Sequence, residues 1–405
     1  MKGVNFRRVL VVGGLAALSI PYIVLWVRMI TSRSERTGSD FIAFYAAGRV
    51  AQTAGLAQVY DPELQQAVEE REVGFVLLPG QVLLYNHVPY LVPLLMALMS
   101  ENYIASFARW VLVLVVLFVI GTTLLTGLLH RAGWEKDEVW ITAAGVLTFF
   151  PLFVSLLNGQ DTAFTLLGLC LWLFGLLTGR DWLAGLGLAL TTVRPHIAVF
   201  LAVPFLFRQW KVFGWFCLGA TALALLSLLL LGWEGMRGFL ELLLISSGGE
   251  FYGMQEAAMV NLVGLLTRLL PGLESHFIRW AGLGAYLAAA LGLCILWARN
   301  RKQDERHFGL AVILAVFFAP HLHYHDLTLI LVPFGCVMLY MVRNKWLAQK
   351  YAALLPLVTS LILLLGSLIP GLKYNLPYLV IMLLALSFLS PKTILHPSFL
   401  LRKRR

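Results

Sequence analysis

The densest run of ionisable side chains in the sequence is His321-Leu322-His323-Tyr324-His325-Asp326. Imidazoles bind divalent metals, contact phosphates and sugars, or pack at an interface. Three alternate histidines share one metal-binding face only where the backbone is extended. His321 and His325, nearest the flanking apolar segments, are the two expected to touch a ligand. Arg194-Pro195-His196 supplies a guanidinium that either clamps a phosphate bidentately or snorkels to a polar boundary, with His196 beside it. Within Asn158-Gly159-Gln160-Asp161, the amides of Asn158 and Gln160 suit sugar hydroxyls or a turn cap equally. Tyr85-Asn86-His87 adds a further imidazole, which reads as ligand contact or as structural. Asp40, followed one helical turn later by Tyr45, is either a helix N-cap or a general base, and Tyr45 then a substrate contact.

These clusters are separated by long apolar runs, and the composition says what those runs are. The 405-residue chain is 60% hydrophobic and 13% charged, where soluble domains carry roughly a quarter charged residues. About twelve segments approach the ~20 apolar residues needed to cross a ~30 Å hydrocarbon layer. They lie near 9–27, 104–129, 139–157, 162–178, 182–193, 196–207, 212–232, 277–298, 307–320, 326–342, 351–370 and 376–389. Backbone groups in lipid must be satisfied within their own segment, so the segments are helices. The alternating ten-residue pattern of a membrane barrel is absent. The expected fold is therefore an all-α polytopic membrane protein, one integral domain over 1–405, with a first external loop at 28–103 and a second at 233–276.

The net charge of +10 does not indicate nucleic acid. Its Lys and Arg residues gather in short links such as Arg7-Arg8, Arg299–Lys302, Arg343–Lys345 and the tail Arg402–Arg405, the positive-inside pattern. Cys170, Cys217, Cys294 and Cys336 all fall in apolar segments without ligand spacing and read as small core residues. The basic start and apolar run of Lys2–Ile30 read as an uncleaved signal anchor.

Two topologies are possible. In one, 88–99 spans and 182–207 is a single helix, which buries Arg194 mid-membrane at a cost of at least ~2.5 kcal/mol. In the other, 88–99 lies at the interface and 182–207 breaks at Arg194-Pro195-His196. Val88–Met99 is short and carries two prolines, so the broken-helix topology is preferred. Both termini are then cytoplasmic, and all five polar clusters face outward across the plasma membrane. The apolar spacing of 40–54 predicts an amphipathic helix along the membrane surface. The interval 233–276, which contains the Ser246–Glu250 run, is expected to be a mobile loop over an acceptor entrance.

Several of these elements occur together in a known family. The segment from Asp40 to Tyr45 with its following alanines, then Val59-Tyr60-Asp61-Pro62, Tyr85-Asn86-His87-Val88-Pro89, Asn158-Gly159-Gln160, Leu183–Ala189 and a basic residue before Pro195 stand in order. The set, over about residues 35–335, resembles the polyprenol-phosphate-mannose-dependent mannosyltransferases of glycosyltransferase family 87. The resemblance implies a GT-C helix bundle, a lipid-linked sugar donor and a catalytic acid residue in the first external loop, here Asp40. Arg194 departs from the pattern, which has Lys before the proline, and the two cations are not interchangeable.

The implied reaction is transfer of a sugar, mannose in the family, from polyprenyl phosphate to a lipid or glycan acceptor. Asp40 would deprotonate the acceptor hydroxyl opposite the leaving phosphate, giving inversion, and Arg194 would bind that phosphate. No cofactor is expected, with a divalent metal on the histidine run as the alternative. The partners expected are the donor, the acceptor and membrane lipids, with no nucleic acid. A transporter or flippase for a polyprenyl-linked glycan is the competing reading. It predicts polar residues entering from both sides, whereas these clusters gather at one.

Overall fold

The computed structural model describes residues 6–248, 255–300 and 302–388. The basic tail Leu401–Arg405 and part of the Ser246–Glu250 run lie outside those ranges. The described chain is helical, with no strand among its elements. Six helices are long and apolar enough to cross a membrane: Arg7–Thr31, Tyr103–Arg131, Trp210–Ser246, Ser275–Arg299, Tyr324–Arg343 and Gln349–Ser367. The pair Lys136–Leu147 and Phe150–Asn158, bent by 42° between them, makes a seventh if counted as one span. Five shorter apolar helices complete the set.

Length and burial vary together. The outer helix Arg7–Thr31 has only 11% of its most apolar window buried within the protein, while Tyr324–Arg343 has 89%. A helix wrapped by other helices needs no full hydrocarbon-spanning stretch, because protein supplies its apolar surroundings. Thr162–Leu177 is such a helix, with Leu169, Trp172 and Leu173 fully buried.

The break within 182–207 is present. Helix Asp181–Leu190 tightens into the 3₁₀ turn Thr191–Val193, Arg194 leaves helical geometry at φ −118° and ψ 81°, and Pro195 opens helix Pro195–Ala202. The residue before a proline is pushed out of the α region, and proline fits the first turn of the next helix. The segment 88–99 forms a 3₁₀ turn and helix Val92–Leu98, whose Val92 and Leu95 are fully buried.

Two expectations about the external intervals change. Helix Phe41–Thr53 is not half-buried as an amphipathic surface helix would be; ten of its thirteen residues are buried. It packs against Val92–Leu98 so closely that a Cβ on Gly48 would stand 2.9 Å from the Leu95 carbonyl oxygen. Its alanines and this glycine make the approach possible, and an amphipathic pattern cannot distinguish a lipid surface from a protein one. The interval 233–276 is not an open loop either. Helix Trp210–Gly248 continues into it through a break at Gly232, whose φ of 66° suits glycine, and Leu262–Leu269 forms a further helix.

The segment between helix Phe41–Thr53 and residue 99 is held by side chain to backbone bonds. Gln65 and Glu69 sit one turn apart on helix Pro62–Val73. The Tyr85 amide donates to Gln65 Oε1 (2.6 Å) and the Leu83 amide to Glu69 Oε2 (3.2 Å). Four residues of helix rise about 6 Å and two of extended chain about 6.6 Å, so the two carbonyl-type acceptors match amides two residues apart. Tyr60 Oη donates to the His87 carbonyl at 2.7 Å, fixing the end of this segment.

Burial pushes the Glu69 carboxyl up to about 8, against an ordinary value of 4.5. A carboxyl raised in the folded state stabilises most at acid pH, and that contribution drains away as pH rises from the unfolded value through the folded one. Glu69→Gln keeps the acceptor and removes the titration. Its melting temperature in detergent should therefore gain on wild type between pH 5 and pH 8, and parallel pH profiles for the two proteins would refute this assignment.

Candidate active site

Asp40 precedes helix Phe41–Thr53 in the N-cap position yet makes no capping bond; its φ of −60° and ψ of −19° are already helical. Its carboxylate turns away and Oδ2 accepts from Gln160 Nε2 at 2.7 Å. The N-cap reading of Asp40 therefore fails on geometry. What brings Gln160 there is Gly159, in the left-handed conformation at φ 66° at the end of helix Phe150–Asn158. A Cβ on Gly159 would approach the Phe41 Cβ to 2.8 Å. Trp110 Nε1 donates to the Gly159 carbonyl at 2.7 Å and secures the turn.

Gln160 also points back into the bundle, where its Oε1 accepts from Arg194 Nη2 at 3.4 Å. Arg194 stands between two buried carboxylates. Its Nη2 lies 3.0 Å from Asp161 Oδ1 and its Nε 3.4 Å from Asp326 Oδ1. The first carboxylate is shared with His87, whose Nδ1 is 2.7 Å from Asp161 Oδ2. The second accepts from Thr162 Oγ1 at 3.0 Å and from the His323 amide at 3.3 Å. Burial alone pushes the Asp161 carboxyl up, but Arg194 and His87 outweigh it and hold the group below the usual carboxylate range. A guanidinium cannot deprotonate, so Arg194 carries its charge within this buried cluster.

These groups surround one cavity of about 630 Å³. Asp40, His87, Asn158, Gln160, Arg194, His196, His321 and His325 all line it. Eight residues expected to act together thus meet at one chamber, although they come from five parts of the chain. Tyr45 is the exception. Its hydroxyl donates to Glu72 Oε1 at 3.2 Å, and it lines a separate pocket with Arg49, Arg71 and Glu101. Burial, then the Glu72 charge, push that phenol up to about 12. Tyr45 supports the packing of helices Phe41–Thr53 and Pro62–Val73 rather than the chamber.

The histidine run is not strand-like, because His323 caps the 3₁₀ turn Tyr324–Ile330. The His321 and His323 rings meet edge to face at 4.7 Å. Among the described residues no group of three or more His, Cys, Asp or Glu side chains is arranged to hold a metal. His321 Nδ1 and His196 Nε2 are buried, line the chamber and have no hydrogen-bond partner. Burial, foremost, and His323 hold the His321 imidazole well below its ordinary value, so it is neutral and able to accept or donate.

Asp161 and Asp326 are the residues that sequence reasoning passed over. Each ends a polar cluster already singled out. Nothing in linear order shows that both turn inward onto Arg194.

A bundle of buried and lipid-length helices around a polar chamber, with a carboxylate and a pinned guanidinium inside it, defines a multi-pass membrane protein with an enzyme-like site. The family model for Glycosyltransferase family 87 matches residues 84–323, more than half of the chain. The protein belongs to that family and is a membrane glycosyltransferase. The match includes His87, Asn158, Gln160, Arg194, His196 and His321; Asp40 precedes it, and His325 and Asp326 follow it. No curated protein matches the chain.

Because Arg194 neutralises two buried aspartates, Arg194→Met should lower stability by about 3–5 kcal/mol, the cost of stranding buried charge. The same substitution combined with Asp161→Asn and Asp326→Asn should recover most of it. Thermal unfolding in detergent measures both, and an unchanged melting point for Arg194→Met would show that the guanidinium is not a structural counter-charge.

Proposed function

We propose that this glycosyltransferase moves a sugar, mannose by family resemblance, from a polyprenyl-phosphate carrier to a hydroxyl of a lipid or glycan acceptor, at the outer face of the plasma membrane. The architecture is of the GT-C type, and both termini are cytoplasmic. The observation that carries the reading is the Asp40 carboxylate. It is released from helix capping, held by Gln160 on Oδ2, and has no protein hydrogen-bond partner on Oδ1 among the described residues.

The chemistry is a single displacement. Asp40 accepts the proton of the acceptor hydroxyl as that oxygen bonds to the anomeric carbon. The bond from this carbon to the phosphate oxygen breaks on the other side, its electron pair leaves with polyprenyl phosphate, and the configuration inverts. A phosphate leaving group requires neither redox chemistry nor a covalent intermediate, so no cofactor enters the scheme.

Gln160 orients the base and is itself oriented by Arg194, which makes both positioning residues. This departs from a role for Arg194 as the first phosphate contact, since Asp161 and Asp326 already answer its charge. Asn158, His196, His321 and His325 line the same chamber, and this reading gives them the contacts to the sugar.

With purified protein, polyprenyl-phosphate-mannose and lipid acceptors, wild type should transfer sugar. Asp40→Asn should lose on the order of 10²–10⁴ in rate while its melting temperature stays unchanged. Undiminished transfer by that variant removes Asp40 from the mechanism. The orientation is tested separately on intact cells. An impermeant maleimide should label Asn375→Cys but not Arg131→Cys, both of which are exposed positions; the reverse pattern would turn the chamber inward.

A further inference from the structure

Charge is unevenly distributed around the chamber. Asp40 and Asp326 line it, with the buried Asp161 behind them, and a single guanidinium, Arg194, stands among the three; His87 and His325 sit against Asp161 and Asp326. A phosphate cannot settle there without a counter-charge from elsewhere, because like charges at contact distance repel. His321, neutral through burial, does not supply one.

A cation stands at the mouth. Lys373 is exposed, lines the chamber, and belongs to the connection between helices Leu355–Ser367 and Leu376–Phe388. Its Nζ lies 5.0 Å from the centre of the Tyr374 ring. The Arg268 guanidinium lies 5.6 Å from the same ring and donates to the Tyr374 carbonyl at 3.4 Å. Arg268 also bonds the Met259 carbonyl at 3.0 Å and Tyr378 Oη at 2.5 Å, so the connection is pinned to the neighbouring wall. Among the described residues neither Lys373 nor Arg268 has a carboxylate within ion-pair distance, and Arg268 Nε is buried with no partner. Two cations thus lie against one aromatic ring, and neither has a carboxylate partner among the described residues.

The residues just before Lys373 are apolar and exposed: Leu368 by 72%, Ile369 by 51% and Leu372 by 41%. Exposed apolar side chains beside a lone lysine form a surface with an oily half and a cationic half. That pairing matches a lipid phosphate, not a soluble one.

We propose that Lys373 is the counter-charge for the phosphate of the polyprenyl donor, that Leu368, Ile369 and Leu372 receive the start of its isoprenoid chain, and that Arg268 positions the connection through Tyr374. The assignment rests on the donor reading made above. It places the phosphate at the mouth and its sugar inward, toward Asp40. The phosphate then leaves into the headgroup region without crossing the acidic end of the chamber.

The test uses full-length protein in nanodiscs of zwitterionic lipid, titrated with polyprenyl phosphate and with the matching polyprenol. Lys373→Ala should weaken polyprenyl-phosphate binding about tenfold, the worth of one charge-assisted contact. It should leave polyprenol binding and the melting temperature unchanged. Lys373→Arg, which keeps the charge, should restore binding to within about threefold. In turnover assays the loss should fall on KM for the donor, with kcat little altered.

Equal binding by wild type and Lys373→Ala overturns the assignment while leaving the glycosyltransferase mechanism intact. Equal losses for phosphate and alcohol would make the residue a packing element and also overturn it. Displacement of the lipid by equimolar inorganic phosphate or phosphatidylglycerol would overturn the polyprenyl specificity. Failure of wild type to bind polyprenyl phosphate at all would refute the donor reading, and this assignment with it.

Discussion

A guanidinium out of water is tolerated only when carboxylates and hydrogen-bond acceptors replace its hydration, and Arg194 has gathered both. Asp161 and Asp326 answer its charge, Gln160 accepts one of its N–H groups, and His87 stands 3.4 Å from Nη1. The desolvation of an ion pair is costly enough that removing one member strands the others. This makes the arrangement all-or-none. The segment ending at His87, the turn after Phe150–Asn158, the break before Pro195 and the loop before Tyr324 must all arrive for any of them to be satisfied. Asp40 hangs on the end of this chain of contacts through Gln160.

The chamber is built from helix ends. Asn158–Asp161 ends one helix and opens the next, Arg194 sits in a break, and His321–Asp326 leads from Glu305–Phe318 into a 3₁₀ turn. In hydrocarbon, free backbone groups at such ends would be prohibitively costly, so they occur where protein or a polar cavity surrounds them. The short helices of the interior serve this purpose. Their termini fall inside the bundle and deliver polar side chains to one place, while longer helices such as Arg7–Thr31 face the lipid.

The segment 41–99 shows how a region without a lipid-spanning helix can still be tied down. Gln65 and Glu69 bind backbone amides of an extended segment, Tyr60 holds the His87 carbonyl, and Gly48 lets two helices touch. The result is a small folded cap whose edges carry Asp40 and His87. In the reaction proposed above, such a cap fixes Asp40 relative to the bundle through Gln160.

Several properties follow from the amino-acid sequence alone, because they depend on local composition. Apolar run length made the chain a helical membrane protein, and Pro195 after Arg194 marked the helix break. Ordered short motifs pointed to the family. Local pattern also listed most of the chamber, since polar side chains interrupting apolar runs need a polar destination. It could not choose among destinations. The buried helix Phe41–Thr53 and a surface-lying one share the same periodicity. Tyr45, one turn from Asp40, faces away because helix geometry rotates it toward Glu72. Asp161 and Asp326 became visible only when residues 165 positions apart converged on one guanidinium. Which side chain neutralises which is a long-range electrostatic matter, decided by tertiary packing and not by the spacing of residues along the chain.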